Sequence, residues 1–275
     1  MNTRNTLRDI EGLARLGYAA RGLVYLIVGW FALTAARGAG RPTDTRGALV
    51  ELFQNPFGSV LLALVALGLA GYALWRVVQG VLDVDRHGTA WKGLAIRAGQ
   101  VIAGIMHAGL AVAAVGLLAG RGSGGDGEST ARDWTVWLMS MPAGRYLVAA
   151  VGAGIAAAAI AHFVKAYKAS FRRHLAVGTD KHGLVCTIGR AGLAAKGVVF
   201  ALVGVFFMHA AWHADSSESG GIVKALRILQ EQSSGPWLLG IVAAGLIAFG
   251  LFSMVQAVYR RIDTDRAADR LRAVA

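Results

Sequence analysis

The sequence predicts an all-α membrane bundle of six transmembrane helices, built as three parallel two-helix repeats about a pseudo-threefold axis. Three observations carry this expectation. Six apolar runs are each roughly 20 residues or longer, enough to cross a ~30 Å hydrocarbon core at about 1.5 Å per residue. One phrase recurs three times: Ala14-Arg15-Leu16-Gly17 with Arg21-Gly22, Ile96-Arg97-Ala98-Gly99 with Gly104, and Gly189-Arg190-Ala191-Gly192 with Lys196-Gly197. Self-similarity of this kind marks a repeat architecture. The composition agrees, with 55% hydrophobic and 16% charged residues, where soluble domains carry about 25% charged residues.

Taken in order, residues 1–16 are polar and lack the apolar stretch of a cleaved signal peptide. Repeat one, 17–82, supplies spans at Gly17–Ala36 and Phe57–Leu82, followed by a loop at 83–97. Repeat two, 98–167, supplies Ala98–Ala119 and Ala143–Tyr167, followed by a loop at 168–189. Repeat three, 190–259, supplies Arg190–Trp212 and Pro236–Tyr259, and a basic tail occupies 260–275. Before each second span lies a short amphipathic piece, at 47–53, 133–138 and 223–229, expected as an interfacial helix at the outer headgroup level. The Gly-rich stretch Gly120–Gly127 reads as a mobile link.

Aligned, the first spans match Gly17 with Gly99 and Gly192, and Gly22 with Gly104 and Gly197. Tyr25 falls opposite His107 and Phe200. The second spans match Gly68, Gly154 and Gly245, then Tyr72, Ala158 and Phe249, then Gln79, Lys165 and Gln256. Repeat two departs furthest, with Ala103 where the others carry Arg21 and Lys196. Glycines seven apart, Gly22–Gly29 and Gly197–Gly204, predict seams of close helix contact. Six tryptophans, Trp30, Trp75, Trp134, Trp137, Trp212 and Trp237, read mostly as interfacial anchors.

Of the 28 Lys and Arg residues, sixteen flank the side that holds both termini, eight flank the other, and four lie within spans. The positive-inside bias therefore predicts cytoplasmic termini and residence in the plasma (inner) membrane. The net charge of +12 is accounted for by residues flanking apolar spans, which suits acidic phospholipid and gives no nucleic-acid recognition fold. Cys186 is the only cysteine, so neither an intramolecular disulfide nor a cysteine metal cluster can form.

The pattern A-R-x-G-Y-x-A-R-G-x-V-Y at Ala14–Tyr25, the Gly47-Ala48-Leu49 piece leading to Pro56-Phe57-Gly58, and the phrase Gly71–Gln79 resemble a bacterial membrane family known as domain of unknown function 1206. That resemblance implies three tandem two-helix repeats and brings no activity, cofactor or catalytic residue with it.

Polar residues inside spans carry the candidate chemistry, because charge in hydrocarbon is costly and is often functional. They are Arg21, Arg76, Lys165 and Lys196, with His107, His162, Gln79 and Gln256; no Asp or Glu accompanies them. One reading has all four cations snorkelling to the inner interface as anchors. The other turns them inward as a basic cytoplasmic vestibule, with Arg21, Arg76, His162, Lys165 and Lys196 binding an anion or lipid headgroup. Tyr25, Tyr72, Gln79, His107, Phe200 and Gln256 would then line its narrow part. His209 and His213, at i and i+4, are weak metal candidates without an HExxH context. No P-loop, dinucleotide or nucleophile-elbow motif is present. The expectation is a non-enzymatic structural or accessory membrane protein without cofactor, packing with itself or another membrane protein. Its rival is a permease or channel for a small anion or lipid headgroup.

Overall fold

The phrase that opens each repeat works as a clasp between repeats. In the computed structural model, which describes residues 3–121, 127–176 and 182–262, the arginine of each phrase reaches the carbonyl end of a neighbouring helix. The long helices are α1 (Thr3–Ala36), α3 (Gly58–Leu82), α4 (Trp91–Leu118), α6 (Gly144–Lys168), α7 (His182–His213) and α9 (Gly235–Tyr259). Arg15 donates to the carbonyls of Ala257 and Val258 at 2.9 and 2.6 Å. Arg97 donates to Gly80 and Val81, both at 2.8 Å, and Arg190 to Ala166 at 3.0 Å. Each cation thus meets carbonyls that the end of a helix leaves without intrahelical partners, at the negative pole of its dipole.

These clasps join the second span of one repeat to the first span of the next. The seams beneath them are made by small residues. A Cβ on Gly22 would lie 2.9 Å from the Gly250 carbonyl, one on Gly104 2.9 Å from that of Ala73, and one on Gly204 3.2 Å from that of Gly152. The neighbour order is α4, α3, α1, α9, α7, α6. Six helices, each long and apolar enough to cross a membrane, make this a multi-pass membrane protein. Among the described residues no strand forms, apart from an isolated bridge between Leu175 and Arg260.

Within a repeat, the three units part company. Gly17 packs on Tyr72 and Gly68 on Leu16 and Ala20; Gly192 packs on Phe249 and Gly245 on Ala195. The equivalents in repeat two, Gly99 and Gly154, have nothing within 4 Å. No packed seam joins α4 to α6, so the ring is open within repeat two, and the expectation of three packed hairpins holds only for repeats one and three. The side chains explain it. Repeats one and three place Tyr72 and Trp75, or Phe249 and Phe252, on the second helix, all buried. Repeat two has Ala158 and Ala161 there, and Ile102 where the others have Ala20 and Ala195. Two aromatic side chains of roughly 150–250 Å² each are missing from that seam.

The short helices α2 (Thr45–Gln54), α5 (Gly127–Met139) and α8 (Ile222–Glu231) sit at the opposite end from the clasps. They were expected to lie flat on lipid headgroups. The apolar faces of α2 and α8 turn into the bundle instead, whereas Trp134, Val136 and Trp137 of α5 stay exposed, as expected of a helix at the headgroup level. Leu49, Thr135 and Leu226, which align, are each 0% exposed. They cap the interior together with Leu62, Val148 and Leu239. Asp44 starts α2 by accepting from the Arg46 and Gly47 amides. An amphipathic helix can bury its stripe against lipid or against helix ends, and the same sequence pattern serves both. Trp75 also departs from its reading as an interfacial anchor, since it is buried in the α1–α3 seam, whereas Trp30, Trp134, Trp137, Trp212 and Trp237 are exposed. Gly122–Asp126 of the glycine-rich link and residues 263–275 of the tail lie outside the described residues.

Candidate basic site in the clasped half

On α1, Tyr18, Arg21 and Tyr25 fall at i, i+3 and i+7, one stripe of the helix. The close approach of α3 and α9 to α1 puts that stripe against Tyr72, Arg76 and Gln79 on one side and Phe249, Ser253 and Gln256 on the other. Arg21 is buried at 8% exposure. It donates to the Tyr72 hydroxyl, to Ser253 Oγ at 3.1 Å and to Gln256 Oε1 at 2.6 Å. Its guanidinium also stacks within 5.1 Å of the Tyr18, Tyr72 and Phe249 rings. Every partner is neutral, so the charge is oriented but not cancelled.

Lys196, on α7, reaches the same centre from the other side. Its ammonium sits 4.8 Å from Tyr25, 5.2 Å from Phe200 and 4.6 Å from Phe249. Phe249 is therefore shared by two cations. Among the described residues Lys196 makes no hydrogen bond. Aromatic faces attract a cation by their quadrupole, at about 0.5–2 kcal/mol per contact, and leave its donors available.

Arg76 donates to Gln79 Oε1 at 2.9 Å. Gln79 and Gln100 both donate to Asp85 Oδ2, at 3.3 and 3.0 Å. Asp85 lies in the loop beyond α3, so the one carboxylate of the network stands outside the spans. Lys165, on α6, is exposed. Arg21 and Arg76 both stand over the Tyr72 ring, at 4.9 and 6.0 Å. Of the four span cations, Arg21, Arg76 and Lys196 turn inward, and Lys165 alone reaches outward.

Of the proposed lining residues, Tyr72 and His107 meet each other, while Tyr25 and Phe200 each meet another ring of the cluster. Tyr25 meets Phe249 with centroids 4.7 Å apart, Tyr72 meets His107 at 4.6 Å, and His162 meets Phe200 at 5.2 Å. Each histidine turns Nδ1 to the carbonyl four residues back, His107 to Ala103 at 2.7 Å and His162 to Ala158 at 2.6 Å. The two stack on rings from different helices. His209 and His213 lie at the far end, rings 4.1 Å apart, with His209 3.5 Å from Glu218 Oε2. Among the described residues, no group of three or more His, Cys, Asp or Glu is arranged to hold a metal.

Two members of the cluster were missed in the sequence. Tyr18 is 1% exposed, and its hydroxyl has no partner. Arg260 stacks on the Tyr18 ring at 5.0 Å, and its Nε, like that of Arg76, is buried and unpartnered. Tyr18 lies one turn before Arg21 inside the recurring phrase, which was the available signal. Arg260 had been counted only as a flanking charge.

The family described as Domain of Unknown Function (DUF1206) matches residues 16–83, 98–169 and 191–260, one match per repeat. Uncharacterized protein YxxB of Bacillus subtilis (strain 168) is 33% identical over 260 residues, covering 94% of this chain and 94% of its own length. No solved structure matches the chain. The chain belongs to the Domain of Unknown Function (DUF1206) family.

Proposed function

We propose, on the premise of that membership, that this is a non-enzymatic accessory membrane protein whose basic half holds an anionic, phosphate-class group. One observation carries the reading. Arg21 and Lys196 flank Phe249, Arg76 and Arg260 stand over the neighbouring Tyr72 and Tyr18 rings, and residues 17–36, 58–82, 98–118, 144–168, 190–213 and 235–259 hold no Asp or Glu. Unbalanced charge in a low-dielectric interior costs several kcal/mol per ion, and an anion placed among these donors offsets it. Guanidinium and ammonium groups are the usual partners of phosphate oxygens. Among the described residues, the Tyr18 hydroxyl and the Arg76 and Arg260 Nε groups are buried donors without partners.

The positive-inside bias supports placing this half at the cytoplasmic leaflet. A pore for small anions would need a polar path through the opposite half. That half is filled by Leu49, Leu62, Leu226 and Leu239, each fully buried, which favours a blind receptacle.

The test is equilibrium binding to the purified, delipidated full chain, with inorganic phosphate and with phosphatidylglycerol as probes. At least one binds, and Lys196→Gln weakens it about tenfold or more, as loss of a charged contact worth about 1.5–3 kcal/mol requires. Arg76→Gln is the second variant. Failure of both probes to bind, or binding unchanged in both variants, overturns the proposal.

A further inference from the structure

The opening within repeat two gives the receptacle a side door. We infer that the anionic group is the headgroup of a phospholipid, admitted laterally from the membrane between α4 and α6. This rests on the receptacle proposed above and names the source of its ligand.

The edges of the opening are small or apolar. Ala98, Gly99 and Ile102 on α4 are exposed, Ile102 at 61%. Gly154 and Ala161 on α6 are exposed, and Ala158 is half-buried between them. Small residues alone could mark any packing groove, but cations stand behind these. Lys165 lies eleven residues from Gly154 on the same helical face, about 16 Å along the axis. It is exposed at the side of the bundle. One turn before it on the same helix, His162 stacks on the Phe200 ring, which Lys196 faces at 5.2 Å, so α6 links the lateral surface to the interior charges. Among the described residues the Tyr18 hydroxyl, buried in the cluster with Tyr72 and Trp75, has no partner.

The substitutions peculiar to repeat two all enlarge this space or hold it open. Ala103 takes the place of Arg21 and Lys196, and Ala158 that of Tyr72 and Phe249. Ala161 replaces Trp75 and Phe252, while Ile102 stands where an alanine seats against the seam glycine in the other repeats. The geometry matches one kind of occupant, with charge at one end and a strip for hydrocarbon at the other. A phosphate at the level of Lys165 leaves its acyl chains to run along Ile102, Ala158 and Gly154. A soluble anion has no use for the apolar strip.

The experiment compares phosphatidylglycerol, phosphatidylcholine and inorganic phosphate on the full-length chain. In nanodiscs, the protein is expected to bind phosphatidylglycerol at least tenfold more tightly than phosphatidylcholine. A photoactivatable phosphatidylglycerol is expected to label residues 98–107 and 154–165. The triple variant Ile102→Ala/Ala158→Phe/Ala161→Phe gives repeat two the seam of the other repeats. It should lose phosphatidylglycerol binding tenfold or more while its response to inorganic phosphate stays unchanged. Should the triple variant not fold, Gly154→Trp, which fills the opening from one side, replaces it.

Label spread over other helices, or lipid binding unchanged in the filled variants, overturns the lateral route. Phosphate binding in preference to lipid overturns it too, while sparing the receptacle. A dimer cross-linked through α4 and α6 also overturns it. Insensitivity of every probe to Lys196→Gln and Arg76→Gln sinks the receptacle itself.

Discussion

Repeats one and three differ from repeat two at one interface, although all three keep the same glycines. Gly17 and Gly68 sit against Tyr72 and Ala20, Gly192 and Gly245 against Phe249 and Ala195, while Gly99 and Gly154 face open space. A small-residue motif permits close approach but does not compel it. What drives the approach is the aromatic side chain seated opposite the glycine, and repeat two has lost it. The largest expected effect follows. Gly17→Leu must displace the Tyr72 backbone and should destabilise the bundle by about 3 kcal/mol. Gly99→Leu, at the matching position, should change stability by less than about 0.5 kcal/mol. Unfolding midpoints in detergent measure both, and an equal loss would mean that α4 and α6 pack together after all.

The clasps sharpen the comparison from the opposite direction. Arg97 holds the end of α3 as Arg15 holds that of α9 and Arg190 that of α6. Repeat two is therefore open within itself but fastened to both neighbours. Arg15→Ala, Arg97→Ala and Arg190→Ala should each cost about 1.5–3 kcal/mol, the range for hydrogen bonds from a charged donor. The repeat-two variant should be no milder than the others. A clearly smaller loss for Arg97→Ala in the same unfolding assay would show that the opening extends to the α3–α4 seam.

Much of this was legible in the sequence, and the limits are physical. Six runs of sufficient length define six helices, and Gly22, Gly29, Gly197 and Gly204 mark seams because two helices cannot meet closely through larger residues. The row Tyr72, Ala158, Phe249 was readable as an alignment, but its meaning required knowing that the aromatics fill the seam within a repeat. Arg21 and Lys196 were found as span cations. Their inward direction was not, since a cation six residues beyond the clasp arginine can equally snorkel outward. The docking of α2 and α8 was invisible for the same reason: hydrophobic periodicity identifies a face, not the surface that covers it.

The connectors after the second helices supply the smallest test. After α3, Asp83 accepts from the His87 and Gly88 amides, and the loop folds on itself. After α6, a 3₁₀ turn at Ser170–His174 crosses to the end of α9 instead. There His174 accepts from the Arg261 amide at 3.0 Å, and Ala176 donates to Tyr259 at 2.8 Å. This strap ties the loose repeat two to repeat three. Burial, then the Arg260 charge, holds the His174 imidazole down to about 4, against its usual 6.5; Asp85, Arg173 and His87 also act on it, the carboxylate in the opposing sense. A histidine more acidic when docked takes up its proton first in the undocked state. Docking is thus fully supported above about pH 6.5 and weakens as pH falls toward about 4. Hydrogen exchange at 171–176, corrected for intrinsic rates, should lose protection several-fold across that window, and His174→Gln should flatten the dependence. The Asp83 turn, closed by backbone amides, should show no such loss between the same limits. If both connectors loosen together, the acid effect belongs to the bundle as a whole and not to the strap on repeat two.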